Sequence, residues 1–344
     1  HTQFTILAHK NFNPNTLNLF EPPYLKFGNK PYIKCVYNPN KKELPEYHPR
    51  LTIIKGVRKS CYPIFLRIEF SVPKLLYGNN FDEVSEEDFR EVCKILKERL
   101  FDMGISIRDM KYIENAEVST IHYSKNIVLT DYTEPWHYIN EMKRVDVGMM
   151  YDFNQTDYRN NGLNFKFRSN QYEFAMYDKV EDLKQAHGSE KKSEEKDYEH
   201  QLSLFEKYPQ KMPFEVLRLE TRLGDKSKLK RELEKIDKDI IDYTFKSLFK
   251  AKYAKEIMLN VLLFMKENYP KLLNTEERDL PSFVNNILIN NPHMKLKTLL
   301  AIVGYKLIVH DVGVRGFRNM IRKFSDNSWY TLKRKISSIR IDTG

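Results

Sequence analysis

Cysteine is scarce and unpatterned in this chain. Only Cys35, Cys61 and Cys93 occur, an odd number without a Cys-x-x-Cys spacing. That argues against a disulfide framework and against a structural zinc site, and leaves buried thiols as the expectation. Long apolar runs are missing as well, with nothing approaching the roughly 18 uninterrupted apolar residues that a membrane-spanning helix needs. The opening stretch, His1 to Lys10, lacks the basic and apolar regions of a signal peptide, so a soluble, cytoplasmic protein is expected. What is present is enough for real cores. The 344 residues are 41% hydrophobic and include 21 Tyr and 21 Phe, which fits two or three domains.

The formal charge is +10, and its location says more than its size. Between Lys295 and Arg340 stand eleven Lys/Arg and two acids, so nearly all the excess lies in this segment. A basic stretch with interleaved aromatics and apolar helices attracts polyanions, nucleic acid above all, through phosphate contacts and counterion release.

Residues 1 to 54 are rich in Asn, Pro and Tyr and read as an N-terminal sheet extension. In Ile64 to Val72, Leu66, Ile68, Phe70 and Val72 share one face and Arg67, Glu69 and Ser71 the other, which predicts a strand stopped by Pro73. A turn at Gly78-Asn79-Asn80 follows. Ser85 then caps a helix carrying Phe89, Val92, Ile95, Leu96 and Leu100, ended by Gly104. From Ala116 to Leu129 the alternation sets Val118, Thr120, His122, Ser124 and Asn126 against Ser119, Ile121, Tyr123 and Ile127. Thr133-Glu134-Pro135 starts a helix, and strands over Leu163 to Arg168 and Tyr172 to Val180 form a hairpin. Lys184 to His200, dominated by Lys, Glu, Gly and Ser, reads as a mobile charged insertion. Phe214 to Leu223 is again two-faced, with Arg218, Glu220 and Arg222 on the polar side. Beyond Ser227 the pattern is helical, with segments over Leu296 to His310, Arg315 to Phe324 and Ser328 to Ile339. The predicted class is α+β: a mostly antiparallel sheet with helices on one face over 55–225, then a basic, all-helical domain over 226–344.

Five residues lie on the polar faces of these strands: Glu69, His122, Tyr177, Lys179 and Glu220. One sheet could show all five to the same side. Two carboxylates and an imidazole make an oxygen-rich site for Mg²⁺ or Mn²⁺, which would polarise a phosphate oxygen for attack by the Tyr177 phenol. Lys179, two residues along the same strand, could lower the phenol pKa or neutralise the phosphate at the transition state. Each residue also has a plain structural role open to it. Glu69 and Glu220 neighbour arginines two positions away and could be cross-strand ion pairs, and a strand tyrosine ordinarily packs.

The order of segments resembles the replication initiators of filamentous phages, the gene II family, and their plasmid relatives. The resemblance is carried by Leu66-Arg67-Ile68-Glu69-Phe70-Ser71-Val72-Pro73-Lys74-Leu75-Leu76-Tyr77-Gly78, a strand with a central Glu and a Pro-x-Lys-x-Leu-x-Gly turn. It continues through Ser119-Thr120-Ile121-His122-Tyr123-Ser124, where the family has a strand bearing Asp, and Ala175-Met176-Tyr177-Asp178-Lys179-Val180-Glu181-Asp182-Leu183, similar to its Tyr-x-Lys nucleophile segment. Leu217-Arg218-Leu219-Glu220-Thr221-Arg222-Leu223 is similar to its Arg-Phe-Glu-Ala-Arg strand, and Asn327-Ser328-Trp329-Tyr330 to an Asn-Ser-Phe-Trp helix start. It spans roughly residues 50 to 340.

The resemblance implies an HUH-endonuclease-like, RRM-like sheet domain that nicks and rejoins DNA for rolling-circle replication. Tyr177 would form a 5′-phosphotyrosine and free a 3′-hydroxyl primer; whether Tyr172 can substitute as nucleophile is left open by the residues themselves. The metal ligands implied are Glu69, His122 and Glu220, although the chain has no His-hydrophobic-His pair and carries His122 where the family has Asp. The helical domain, through Arg315, Arg318, Arg322, Lys323, Lys333, Arg334 and Lys335, would act as a helix-turn-helix module on the duplex origin, while Trp329 belongs to its core. The partners implied are DNA, as duplex origin and as single strand at the nick, with a host helicase and a second copy of the chain as candidates for assembly in a bacterial cytoplasm. Outside that reading stand a conjugative relaxase, a non-catalytic origin-binding regulator, and an RNA-binding protein using its aromatic sheet face.

Overall fold

The computed structural model describes residues 2–7, 33–39, 46–55, 64–130, 133–142, 144–145, 155–159, 163–168, 172–187, 215–273, 279–321, 324 and 326–341. The chain is α+β, antiparallel at every strand pair described. It divides into two compact units, 1–135 with 166–258 and 136–165 with 259–344. No helix among the described residues is long and apolar enough to cross a membrane.

The first unit is built on the strands β1 (Thr2–Leu7), β2 (Ile33–Tyr37), β3 (Arg50–Lys55), β4 (Ile64–Phe70), β5 (Glu117–Leu129), β7 (Asn164–Arg168), β8 (Tyr172–Asp178) and β9 (Glu215–Leu223). Their spatial order is β2-β3-β4-β1-β5-β9-β8-β7. The N-terminal segment therefore enters the sheet twice, at an edge through β2 and β3 and in the middle through β1. β6 (Gln155–Arg159) belongs to the second unit.

One sheet face is apolar. Leu66, Ile68 and Phe70 of β4, Phe174 and Met176 of β8, and Leu217, Leu219 and Leu223 of β9 are all buried on it. Helix α2 (Phe89–Asp102) contributes Val92, Cys93, Leu96 and Leu100 to the same unit's core, and Phe245 of α7 (Phe245–Leu248) meets Phe70 edge to face at 5.7 Å. Burial of large apolar side chains in such numbers is the principal driving force for the unit. Cys93 is one of them, and burial pushes its thiol up to about 12, which makes it inert packing. Cys61 and the side chain of Cys35 lie outside the described residues.

Three local departures from the sequence pattern have physical causes. Pro73 does not merely end β4. It sits in the first turn of a short helix, α1 (Val72–Tyr77), where its missing N–H costs nothing. Gly78 closes that helix at φ 71°, a left-handed value that a side chain would resist. On β5, Gln3 of β1 faces Thr120 but Phe4 faces Val118, so Ser119 is an extra residue and a bulge. Val118 consequently turns to the apolar face, away from Thr120 and His122, and is buried. Finally, β8 stops at Asp178, and Lys179 is the first residue of a helix, α5 (Lys179–His187), rather than a strand neighbour of Tyr177. The Asp178 carboxylate accepts the Glu181 backbone N–H at 2.9 Å, which caps the helix and explains the switch. The charged insertion begins inside this helix, and residues 188–200 lie outside the described set.

α3 (Lys111–Glu114) precedes β5 and α6 (Lys226–Ile236) follows β9, the latter capped by Asp225, which accepts the Lys228 N–H at 2.7 Å. α4 (Pro135–Met142) opens the second unit and α8 (Ala251–Glu267) leads into it. There, α9 (Leu280–Asn290), α10 (Leu296–Ile321) and α11 (Asp326–Ser337) surround Phe283, Ile287, Ile302, Tyr305, Val309, Phe317 and Trp329. Trp329 is a core residue, as expected, edge-on to Phe317 at 6.4 Å. α10 is broken at Gly313 (φ 74°, ψ 168°), which separates its two helical arms.

Candidate active site

The strand register puts the polar stripes of β5, β9 and β8 side by side. His122 is opposite Arg222, which is opposite Glu173; Ser124 is opposite Glu220; Asn126 is opposite Arg218, which is opposite Tyr177. Directly opposed residues on antiparallel strands point to the same side, so all of these share one face. Glu69 of β4 shares it too, through Gln3 of β1 to Thr120 of β5.

Tyr177 is half-buried on this face, not turned into the apolar layer. Its hydroxyl donates to Glu220 Oε2 at 3.4 Å. The other oxygen of that carboxylate, Oε1, accepts from Arg222 Nε at 3.0 Å and stands 3.8 Å from His122 Nδ1. Arg222 reaches back to Glu173 at 3.0 Å, and Lys166 reaches Glu173 at 2.7 Å. Nucleophile candidate, carboxylate and imidazole thus form a continuous line.

Electrostatics sets the protonation states along it. Burial lifts the Tyr177 phenol far above its ordinary range; Arg218 pulls it down and Glu220 raises it further, so the resting phenol is neutral. Glu220 meets the same burial, but Arg222 and Arg218 outweigh it and hold the carboxyl down to about 2. Burial, with Arg222 nearby, presses His122 down to about 3, leaving a neutral imidazole. An ionised carboxylate beside a neutral imidazole is the protonation state that metal ligands require.

Lys179 reaches the site although it has left the strand. Its side chain is 0% exposed, and its Nζ donates to Asn80 Oδ1 at 3.0 Å and Asp182 Oδ2 at 3.2 Å while standing 5.9 Å from the Tyr177 ring centre. Burial lowers this amine to about 8, with Asp182 opposing.

Two participants are not evident from the sequence pattern. Asn80 reads there only as part of a turn, yet its loop lies across the polar face. The buried Asn79 organises that loop by accepting the N–H groups of Phe81 and Asp82 at 2.9 and 3.0 Å. The Phe81 carbonyl then takes Asn126 Nδ2 at 2.6 Å, and Glu83 takes the Asn126 N–H at 2.6 Å. Arg218 reads as a surface ion-pair partner and is instead buried. An Asn-Asn pair after a left-handed glycine is the available signal for the first, and the polar stripe itself for the second.

Mg²⁺ or Mn²⁺ is implied by the resemblance, and His122 with Glu220 is the donor pair on this face that such an ion would draw on, the two Glu220 oxygens being engaged already by Tyr177 and Arg222. Magnesium habitually keeps waters and takes one or two carboxylates plus substrate phosphate oxygens. Glu69 lies on the same face with β1 between its strand and β5. Among the described residues, no three of His, Cys, Asp or Glu come together in a group that could hold an ion.

The residues expected to bind duplex DNA all fall in the second unit. Arg318 is half-buried, its guanidinium 6.0 Å from the Trp329 ring centre. Lys333 is half-buried, while Arg334 and Lys335 are exposed on the last turn of α11. Arg315 follows the Gly313 break, and Arg322 and Lys323 lie outside the described residues. No family model matches the chain, and neither the curated proteins nor the solved structures searched contain a match.

Proposed function

We propose that this protein is a rolling-circle replication initiator that nicks and rejoins a DNA strand through Tyr177. The observation that carries the reading is the Tyr177–Glu220 hydrogen bond, with His122 beyond the carboxylate and Lys179 beside the ring. Four of the five residues chosen from strand alternation meet in one place. In this reading the first unit is an HUH-endonuclease-like, RRM-like nicking domain, and α10 and α11 provide a helix-turn-helix grip on the origin.

Tyr177 Oη forms a bond to phosphorus as the P–O3′ bond breaks. The 3′ oxygen keeps the bonding electrons and gains the proton that the phenol gives up, so the products are a free 3′-hydroxyl and a 5′-phosphate esterified to Tyr177. Glu220, which already accepts the phenol's hydrogen bond, orients the oxygen and is the first acceptor on the proton's route. Lys179 places positive charge beside the phosphoryl group. A divalent cation held by His122 and Glu220, with Glu69 further along the face, would polarise a non-bridging phosphate oxygen. One phosphodiester is exchanged for another ester of similar energy, so reversal reseals the strand without a nucleotide cofactor.

The test is incubation with Mn²⁺ and single-stranded origin-like DNA, followed by denaturing electrophoresis. Wild type is expected to yield a protein–DNA adduct that survives denaturation, and Tyr177→Phe to lose it while still binding DNA. An undiminished adduct in Tyr177→Phe, with Tyr172 excluded by Tyr172→Phe, would remove the proposed nucleophile.

A further inference from the structure

Arg218 and Arg222 lie on the same stripe of β9 but are held in opposite ways. Arg222 is matched by two carboxylates, Glu220 and Glu173. Arg218 is 8% exposed and makes three hydrogen bonds, every one to a neutral acceptor. Its Nη1 donates to the Asn80 carbonyl at 3.0 Å and to Asn126 Oδ1 at 3.0 Å, and its Nη2 to Ser124 Oγ at 2.8 Å. Its Nε is buried and has no hydrogen-bond partner, and no carboxylate among the described residues is within ion-pair distance of it. Glu220 is the nearest counter-charge and lies beyond direct contact, and a buried guanidinium without a contacting ion-pair partner is unfavourable, so an anion brought by a ligand would relieve it.

The position of this cation indicates which anion. Arg218 is the cross-strand neighbour of Tyr177. Asn80 accepts from Arg218 through its carbonyl and from Lys179 through its side-chain oxygen, so the loop fastens both cations with a single residue. Lys179 keeps Asp182 as an ion-pair partner at 3.2 Å, so Arg218 is the principal cation of the two for a phosphate beside the phenol, and guanidinium groups bind phosphate strongly.

We infer that Arg218, Lys179 and the Asn80 loop form a phosphate subsite that receives a phosphodiester of the DNA strand while Tyr177 is engaged. The identity of the phosphate's owner rests on the nicking reading above; the anion site itself rests on the burial and bonding of Arg218.

Thermal unfolding in inorganic phosphate, against sodium chloride at matched ionic strength, tests it. Wild type is expected to show a saturable rise in Tm with phosphate. Arg218→Gln loses that rise, and Arg108→Gln, at an exposed position between α2 and α3, keeps it. Asn80→Asp, nearly isosteric, brings a second carboxylate to Lys179 and leaves the main-chain acceptor of Arg218 in place, so it is expected to weaken the phosphate response. A wild-type response retained in Arg218→Gln or in Asn80→Asp, or no response in wild type, overturns the inference. If wild type captures DNA but its phosphate response ignores Arg218, the subsite falls and the nicking reading stands. If the response needs Arg218 and no adduct forms, the subsite stands and serves another phosphorylated ligand.

Discussion

Lys179 shows how one side chain can serve a site at the expense of the fold. Its amine is fully buried and lowered from 10.5 to about 8. Between those values the unfolded chain binds a proton that the folded chain does not, so stability rises with pH across this window and the burden is largest below about 8. The size of the effect is on the order of 3 kcal/mol, by the usual conversion of pKa shifts. Lys179→Met is therefore expected to stabilise the protein at about pH 7 and to flatten the rise between pH 8 and 10.5. Urea midpoints of both proteins across that range check it, and parallel pH profiles would count against a buried, depressed amine. Tyr177, His122 and Glu220 can be named from sequence because a period of two assigns a face. Arg218 cannot be judged that way. Whether an arginine is paired depends on what the next strand offers, and here β5 offers Ser124 and Asn126 instead of an acid.

At the level of the element, alternation locates β4, β5, β8 and β9 but misses their irregularities. The bulge at Ser119 inserts one residue without any compositional mark, so alternation alone puts Val118 on the wrong side. It also extends β8 to Lys179, whose spacing from Tyr177 suits a strand; the capping bond from Asp178 decides otherwise. β1 is invisible to it, since its partners, β4 and β5, are distant in sequence and pairing of that kind leaves no local trace. Helices are more legible, including the interruption of α10 at Gly313. There φ 74° with ψ 168° is a conformation open in practice to glycine alone. Gly313→Ala is expected to cost about 1 to 3 kcal/mol, by the typical penalty of such backbone strain. Chemical denaturation monitored at Trp329, whose ring lies in the same core, measures it, and an unchanged midpoint would mean that the break is not needed.

For the molecule as a whole, the basic excess and the proposed chemistry fall in different parts of the chain. The excess of basic residues lies between Lys295 and Arg340, within the second unit, and the Tyr177 cluster lies in the first. On the proposed reading, duplex affinity should fall steeply with salt through groups that Tyr177 does not share. Replacing Arg334 and Lys335 by glutamine is expected to lower the slope of log affinity against log salt by roughly 1 for each phosphate that is no longer neutralised. Tyr177→Phe should leave that slope where it was. Fluorescence anisotropy with a labelled duplex between low and moderate salt gives both numbers, and a slope indifferent to α11 would move the duplex-binding surface elsewhere.

The placement of β1 carries a consequence for assembly. Six residues, Thr2–Leu7, are wedged between β4 and β5, with Thr2 set against Phe70 on one side and Ile121 on the other. Neither neighbour strand bonds the other directly, so this short ribbon is a keystone joining a portion of sheet that bears Glu69 to one that bears His122, Glu220 and Tyr177. Until it is threaded into place the two portions have no common floor, and pairings so remote along the chain are slow to form. Clipping that ribbon out would part Glu69 from the tyrosine's surroundings while each portion kept its own hydrogen-bonded ladders.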